Sequence, residues 1–260
     1  MCMFEPQDHG TLNKNNISRL VVGLSLNKIS FLRSLRDKKK RDEHGVFVVE
    51  GEKIVRETLE LHSALIEHVF AIPGVFDEFG RIERISPAEL KRISNLSTPN
   101  KALAVIRKPQ FTSIKEGLTI VLDTIQDPGN LGTIIRLADW FGVSEIICSK
   151  ETADCFSSKV VQSAMGSILR VDVRYTDLYD WLSNNSKPVY GAVIDGTNIY
   201  QEKLHENAVI LIGNESKGIS PGLLNFLTHT ISIPKFGRAE SLNASVAAGI
   251  ILSEFKKRTI

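Results

Sequence analysis

The chain has 260 residues, long for one domain and comfortable for two, so it can bury a sizeable core. Hydrophobic residues at 42% and charged residues at 24% are ordinary for a soluble globular protein, and no apolar run reaches the length that crosses a membrane. The net charge of +2 is too small to mark a nucleic-acid binder by itself.

The first 22 residues read as an extension. Residues 1–16 are polar and lack the apolar core of a secretion signal. Cys2, Cys148 and Cys155 are odd in number and show no paired metal spacing, so they read as free thiols of a reducing, cytoplasmic compartment. Residues 23–110 then form a small α/β unit. Ile29, Leu32 and Leu35 recur at near-helical spacing and predict a helix over 27–37. That helix runs into a basic stretch, Lys38, Lys39, Lys40 and Arg41. Residues 1–110 carry 18 Lys and Arg against 14 Asp and Glu, whereas residues 111–260 carry 14 against 16. The basic stretch is therefore either a phosphate-contacting surface or a solvated helix end. Residues 46–49 (VFVV) and 69–72 (VFAI) read as strands, with a helix over 52–61 between them. Ser86, Pro87 and Glu89 combine an N-cap, a first-turn proline and a capping box, so a helix starts there. Residues 102–106 (ALAVI) close the unit, and the polar residues 108–116, with Pro109, form a linker.

From Gly117 onward strands alternate with helices. Strands are expected at 118–122, 145–148, 169–173, 189–194, 208–212 and 230–233. Helices are expected at 131–141, 157–163 and 176–182, at Ser220-Pro221, and over 241–257. The last is apolar almost all round over 244–252, so it should be buried on most sides. This alternation implies an α/β fold with an open, mainly parallel sheet covered by helices.

Three segments of this half carry groups that a core does not need. Residues 123–136 read DTIQDPGNLGTIIR, where a strand gives way to a proline–glycine turn and then a helix. Asn130 falls at the expected N-cap, and Arg136 lies about a turn and a half later. The segment lacks the third glycine of a dinucleotide fingerprint and the GK[ST] of a P-loop, which disfavours nicotinamide and nucleoside-triphosphate chemistry. Residues 209–218 read VILIGNESKG: an apolar strand runs into Gly213, Asn214 and Glu215. Glycine permits close backbone approach, and Glu215 is placed to bind a polar ligand or Arg136. Residues 231–247 read ISIPKFGRAESLNASVA, with Ser241, Leu242 and Asn243 opening the last helix. Ser241 and Asn243 are two capping-type residues, and one is more than capping needs. Taken singly, each segment also has a plain reading as a capped helix or a solvated turn.

In this order and spacing the three segments resemble the signature motifs of the SpoU (TrmH-like) family of RNA ribose 2′-O-methyltransferases. The resemblance covers 117–260 fully. It extends over about 25–110, where SLNKISFLRSL and FVVEGEKIVRE resemble the small L30e-like substrate-binding domain of the ribosomal-RNA branch. It implies a catalytic domain with a deep trefoil knot formed by the loops at 213–218 and 234–241. It also implies a cytoplasmic homodimer that binds S-adenosylmethionine, needs no metal and acts on RNA. Carried over by position, Gly213, Ile233 and Leu242 would hold the cofactor through their backbone, with Asn214 and Ser241 beside them. Arg136 would act at the ribose 2′-hydroxyl, with Asn130, Glu215, Ser241 and Asn243 positioning it, the phosphate or the ribose. Residues 163–167 (SAMGS) resemble a small-residue turn of the family, and equally fit a helix C-cap at Gly166. Lys235 and Trp140 depart from the usual pattern without touching these residues. The N-terminal unit favours 23S ribosomal RNA as substrate. Transfer RNA, or an inactive RNA-binding module, are the alternatives.

Overall fold

The computed structural model describes residues 23–111 and 116–257. The reading of residues 1–22 as an extension, and of Cys2 as a free thiol, lies outside them.

The first unit comprises α1 (Leu26–Ser34), α2 (Lys38–His44), β1 (Val46–Glu50), α3 (Glu52–Leu61), β2 (Ile66–Ala71), β3 (Ile82–Arg84), α4 (Pro87–Ile93) and β4 (Ala102–Arg107). Its sheet has the order β1-β4-β2-β3. The strand β4 is antiparallel to β1 and β2, and β3 adds in parallel to β2. The capping box at the start of α4 forms as the sequence indicates, with Ser86 and Glu89 satisfying each other's backbone N–H groups. The edge strand β3 escaped the sequence reading because three half-buried residues carry no period.

The basic stretch is not the tail of the first helix. Leu35 ends α1, and the Asp37 carboxylate then accepts the Lys39 N–H at 2.8 Å and starts α2. Gly45, at φ 65°, closes that helix in the left-handed conformation glycine tolerates.

The second unit comprises β5 (Thr119–Leu122), α5 (Pro128–Trp140), β6 (Glu145–Cys148), α6 (Ser158–Ala164), β7 (Asp172–Tyr175), α7 (Leu178–Ser183), β8 (Val189–Asn198), β9 (Val209–Ile212), β10 (His229–Ser232) and α8 (Ala244–Lys256). All five strand pairings are parallel, in the order β10-β8-β9-β5-β6-β7. The expected strand over 169–173 is replaced by a 3₁₀ turn at Ser167–Leu169 followed by β7, because Ile168, Leu169 and Val171 are buried in the core before the strand starts. The helix expected at Ser220-Pro221 is a 3₁₀ turn, Pro221–Phe226, in which Gly222 disfavours a longer α-helix. Gly132 lets α5 sit directly on α6. A Cβ there would lie 2.5 Å from the Ser163 Cβ and 2.7 Å from the Val160 carbonyl oxygen.

Strand order fixes where a ligand can enter. The chain leaves the central β5 toward β6 and β7, then returns to place β9 on its other side. The carboxyl ends of β5 and β9 therefore flank a topological switch point, the position at which open parallel sheets bind ligands.

The two units share one apolar core. Phe47, Val49 and Val55 of the first cluster with Val160, Val161 and Ala164 of the second, and the Phe47 and Phe156 rings lie 4.7 Å apart. Buried charge is paired across the same boundary. Arg41 corrects the expectation that the whole basic stretch faces solvent: it is only 4% exposed. Its guanidinium donates to the Leu35 and Arg36 carbonyls at 2.8 and 2.7 Å and forms an ion pair with Asp154 of the second unit. Arg170 bonds both Glu57 of α3 and Asp139 of α5. Burial opposes ionisation of Asp139, but Arg170 and the Ser167 hydroxyl outweigh it and hold its carboxyl below the usual range. Cys148 and Cys155 are free and buried, and burial pushes the Cys155 thiol up to about 12, so it stays protonated. Among the described residues no helix is long and apolar enough to cross a membrane.

Removing the Asp154 carboxylate leaves a buried guanidinium without its counter-charge. Asp154→Ala should lower unfolding stability by about 3 kcal/mol. Urea denaturation should show a lower midpoint with an unchanged slope.

Candidate active site

At the mouth of β5 the chain turns sharply. Asp123 is buried, and its carboxylate accepts the Ser220 N–H at 2.7 Å, tying the end of β5 to the loop after β9. Thr124 takes a left-handed φ of 62° and offers its carbonyl to the Asn214 side-chain amide at 2.8 Å. Asp127, not Asn130, is the N-cap of α5, with Pro128 at the first helical position. The Asp127 carboxylate accepts the Asn130 N–H at 2.8 Å, and this bond holds its pKa below the ordinary value. The Asp-Pro pair was a legible cap signal. The correction matters chemically, because Asn130 is released from capping.

The freed amide joins the three segments. Asn130 Nδ2 donates to Glu215 Oε1 at 2.8 Å, and Asn130 Oδ1 accepts from Asn243 Nδ2, also at 2.8 Å. Asn243 is at the same time the N-cap of α8. Its Oδ1 accepts the Ser245 and Val246 N–H groups at 2.9 and 3.3 Å, and the Ser245 hydroxyl at 2.6 Å. A carboxylate can only accept, so Asn130 must present its NH₂ to Glu215 and its carbonyl to Asn243. The direction of the whole chain follows. Ser245, buried two residues past the cap, is the member that sequence reasoning missed.

The loop after β9 is closed by hydrogen bonds of its own as well as tied to its neighbours. Asn214 and Gly218 exchange both backbone hydrogen bonds, at 3.0 and 2.9 Å, and Asn214 Oδ1 accepts from Ser216 and Lys217. A Cβ on Gly213 would lie 2.2 Å from the Gly218 carbonyl carbon, so only glycine fits. The Asn214 side chain is therefore consumed in building the loop. Past β10 the chain behaves differently. Ile233 is half-buried, and residues 234–242 make no hydrogen bond among the described residues. Ser241 and Leu242 are exposed there and precede the cap of α8 rather than belonging to the helix.

Arg136 stands apart from the amide chain. It is six residues beyond Asn130, about 9 Å along the axis of α5. It is exposed, and its Nη1 lies 3.0 Å from the sulfur of Met165. Glu215 is engaged with Asn130 instead. The turn at 163–167 is the end of α6, with its C-cap one residue earlier than expected. Met165 is the cap at φ 48°, and Gly166 follows at φ 92°.

The basic stretch lies near the carboxyl end of β7. The Lys38 ammonium sits 5.5 Å from the centre of the ring of Tyr175, the last residue of β7. Lys39 is exposed, and Lys40 pairs with Glu43 at 2.8 Å. Among the described residues no group of three or more His, Cys, Asp or Glu side chains is placed to hold a metal ion.

Comparison with known proteins matches residues 117–253 to the SpoU rRNA Methylase family and residues 27–104 to the MRM3-like substrate binding domain. The chain belongs to the SpoU rRNA methylase family. A relative in Bacillus subtilis (strain 168), the 23S rRNA (guanosine(2553)-2′-O)-methyltransferase RlmP, is 31% identical over 86% of this chain and 94% of its own. Among solved structures, a TrmH-family protein of Porphyromonas gingivalis superimposes with a TM-score of 0.82 at 37% identity, covering 90% of this chain and 99% of that one. An AdoMet-bound rRNA methyltransferase of Sinorhizobium meliloti gives 0.78 at 29% identity, covering 92% and 98%. The SpoU match spans all three segments joined by the amide chain.

Two substitutions test the local construction. Gly213→Ala should destabilise the fold by about 2 kcal/mol or more, since backbone must move to admit the methyl group. Asp127→Ala should cost about 1 kcal/mol at neutral pH through loss of the cap. Because the folded Asp127 pKa is depressed, its contribution is present above the ordinary value of 3.8 and is lost as pH falls through the folded value. Thermal unfolding should therefore show the variant and the parent chain converging in acid.

Proposed function

We propose that this protein transfers the methyl group of S-adenosylmethionine to a ribose 2′-hydroxyl of 23S ribosomal RNA. The observation that carries the reading is the hydrogen-bonded chain Glu215–Asn130–Asn243, which unites the family's three segments at the switch point of its sheet. The MRM3-like substrate-binding match and the identity to RlmP favour ribosomal over transfer RNA.

The residues present fit the cofactor. The loop over 234–242 offers backbone donors and acceptors that no described residue uses, together with the exposed apolar side chains of Phe236 and Leu242. Backbone at Gly213, Ile233 and Leu242 would hold it, with Ser241 at the rim and Asn214 bracing the floor. When bound, S-adenosylmethionine supplies an electrophilic methyl group on a sulfonium that is already a good leaving group. What remains for the protein is to align the hydroxyl and to manage its proton.

Arginine stays protonated in proteins, so Arg136 acts as a cation. Its guanidinium would donate to the 2′-oxygen or the adjacent phosphate and stabilise negative charge as it develops. Glu215 makes one hydrogen bond among the described residues, through Oε1, so Oε2 is available to accept the hydroxyl proton directly or through water. Asn130 holds that carboxylate in place, and Asn243 holds Asn130. Alignment of this kind is a large part of what an enzyme contributes to such a displacement. The 2′-hydroxyl requirement makes RNA, not DNA, the substrate.

The same reading includes the knot expected for the family, formed where the loops over 213–218 and 234–241 meet. It includes a homodimer, for which the exposed Val246 at the head of α8 supplies an apolar contact. It also includes cytoplasmic residence. Lys38, Lys39 and Lys40 would meet RNA phosphates, while Arg41 serves the interior.

The test is transfer of labelled methyl groups from S-adenosylmethionine to 23S ribosomal RNA and, separately, to transfer RNA, both from cells lacking this protein. Label in ribosomal RNA, recovered as a 2′-O-methylnucleoside, is the expected result. Label only in transfer RNA would overturn the substrate, and no transfer despite cofactor binding would favour an inactive RNA-binding module. Arg136→Ala should abolish transfer while leaving cofactor affinity within about threefold. Substantial residual turnover would remove Arg136 from the chemistry.

A further inference from the structure

Among the described residues Arg136 has one partner, and it is an unusual one. A guanidinium on the rim of an active site is commonly held by a carboxylate. Here its Nη1 meets the thioether sulfur of Met165 at 3.0 Å. A thioether is a weak acceptor with no charge. It can hold the side chain in place without neutralising it, and can give it up to an anion at little cost.

Met165 is itself held in a conformation that L-residues rarely adopt, φ 48° and ψ 47°. The surrounding structure accounts for it. Gly166, at φ 92°, lies against the Glu57 carboxylate, and a Cβ there would sit 3.1 Å from Oε2. Ser167 donates its hydroxyl to Asp139 Oδ2 at 2.8 Å. Asp139 also receives Arg170 Nη2 at 2.7 Å, and Arg170 Nη1 bonds Glu57. The turn carrying Met165 is therefore clamped between α3 of the first unit and α5 of the second. Asp139 lies three residues after Arg136 on α5, so the network is anchored on the same helix that carries the arginine, and Met165 alone touches the guanidinium among the described residues.

We propose that Met165 is a positioning residue for Arg136, set in its strained turn by the domain-crossing Glu57–Arg170–Asp139–Ser167 network. The inference rests on the reading above, in which Arg136 acts at the ribose. It adds that the arginine's aim depends on how the substrate-binding unit is seated against the sheet. Distortion within the first unit is then transmitted to Arg136 through Glu57, without any contact between that unit and the guanidinium.

The experiment uses the full-length chain labelled with ¹⁵N-arginine, with the Arg136 side-chain resonance assigned by its loss in Arg136→Lys. Met165→Gly removes the sulfur while suiting the left-handed backbone, so this variant should fold at least as well as the parent. Its Arg136 Nε–H order parameter should fall clearly. Its kcat for methyl transfer should drop about tenfold with KM for RNA within twofold, as expected for misalignment rather than lost binding. Glu57→Gln, which leaves α6 untouched, should loosen the Arg136 resonance in the same direction by a smaller amount. An Arg136 side chain already mobile in the parent chain, or unchanged in Met165→Gly, overturns the proposal. No change in Glu57→Gln overturns its domain-crossing part. A parent chain that transfers no methyl group, yet shows Arg136 ordered and released by Met165→Gly, would instead overturn the proposed function and leave the positioning contact standing.

Discussion

The arrangement of the site depends on one constraint: a carboxylate accepts hydrogen bonds and cannot donate them. Glu215 therefore dictates the orientation of the Asn130 amide, and Asn130 in turn dictates that of Asn243. The far end is fixed independently, because Asn243 must direct its oxygen to the free N–H groups that open α8. A chain of two amides is thus held between a negative charge and a helix N-terminus, and each link has only one satisfactory orientation. The chain fastens the helix after β5, the loop after β9 and the last helix to one another. No backbone ladder does this, since the three elements meet beyond the ends of their strands.

Around that chain the backbone is divided into a closed half and an open half. The loop over 213–218 closes on itself through the Asn214–Gly218 pair, and Gly213 packs against it too tightly for any side chain. The loop over 234–242 does the opposite and leaves its polar groups unused by the described residues. A binding crevice needs both: a fixed wall against which a ligand is aligned, and groups whose bonds are still to be made. The two loops thus differ in kind: the first spends its polar groups on its own closure, and the second keeps them unpaired among the described residues.

The two units are joined by a shared core and by charges that have lost most of their access to water. Such charges are costly unless paired, so Arg41 and Arg170 are strong constraints on how the units sit. Arg41 reaches the loop after β6, and Lys38 lies over the last residue of β7. Both contacts lie beyond the carboxyl ends of parallel strands, the edge of the sheet that also carries the switch point between β5 and β9. The basic helix α2 is held there by its buried arginine, with its lysines on the outside.

Much of this was legible beforehand. Alternating apolar runs and caps located β1, α3, α4 and β6 closely, because each is decided by local burial period or by a short capping motif. The chemistry-bearing segments stood out because amides, a carboxylate and an arginine at strand ends serve no core. Where the reading slipped, the cause was competition between local rules. Asn130 and Asp127 are both good caps, and only the position of Pro128 decides between them. Sequence by itself therefore determined most of the elements and the parallel sheet, and singled out the segments whose polar residues a core does not need. Tertiary structure alone decided who bonds to whom. It turned Arg41 inward, gave Glu215 to Asn130 rather than to Arg136, and set Met165 against Arg136. These partners are brought together from up to 113 positions apart, and local sequence holds no record of a distance that only the packed sheet creates.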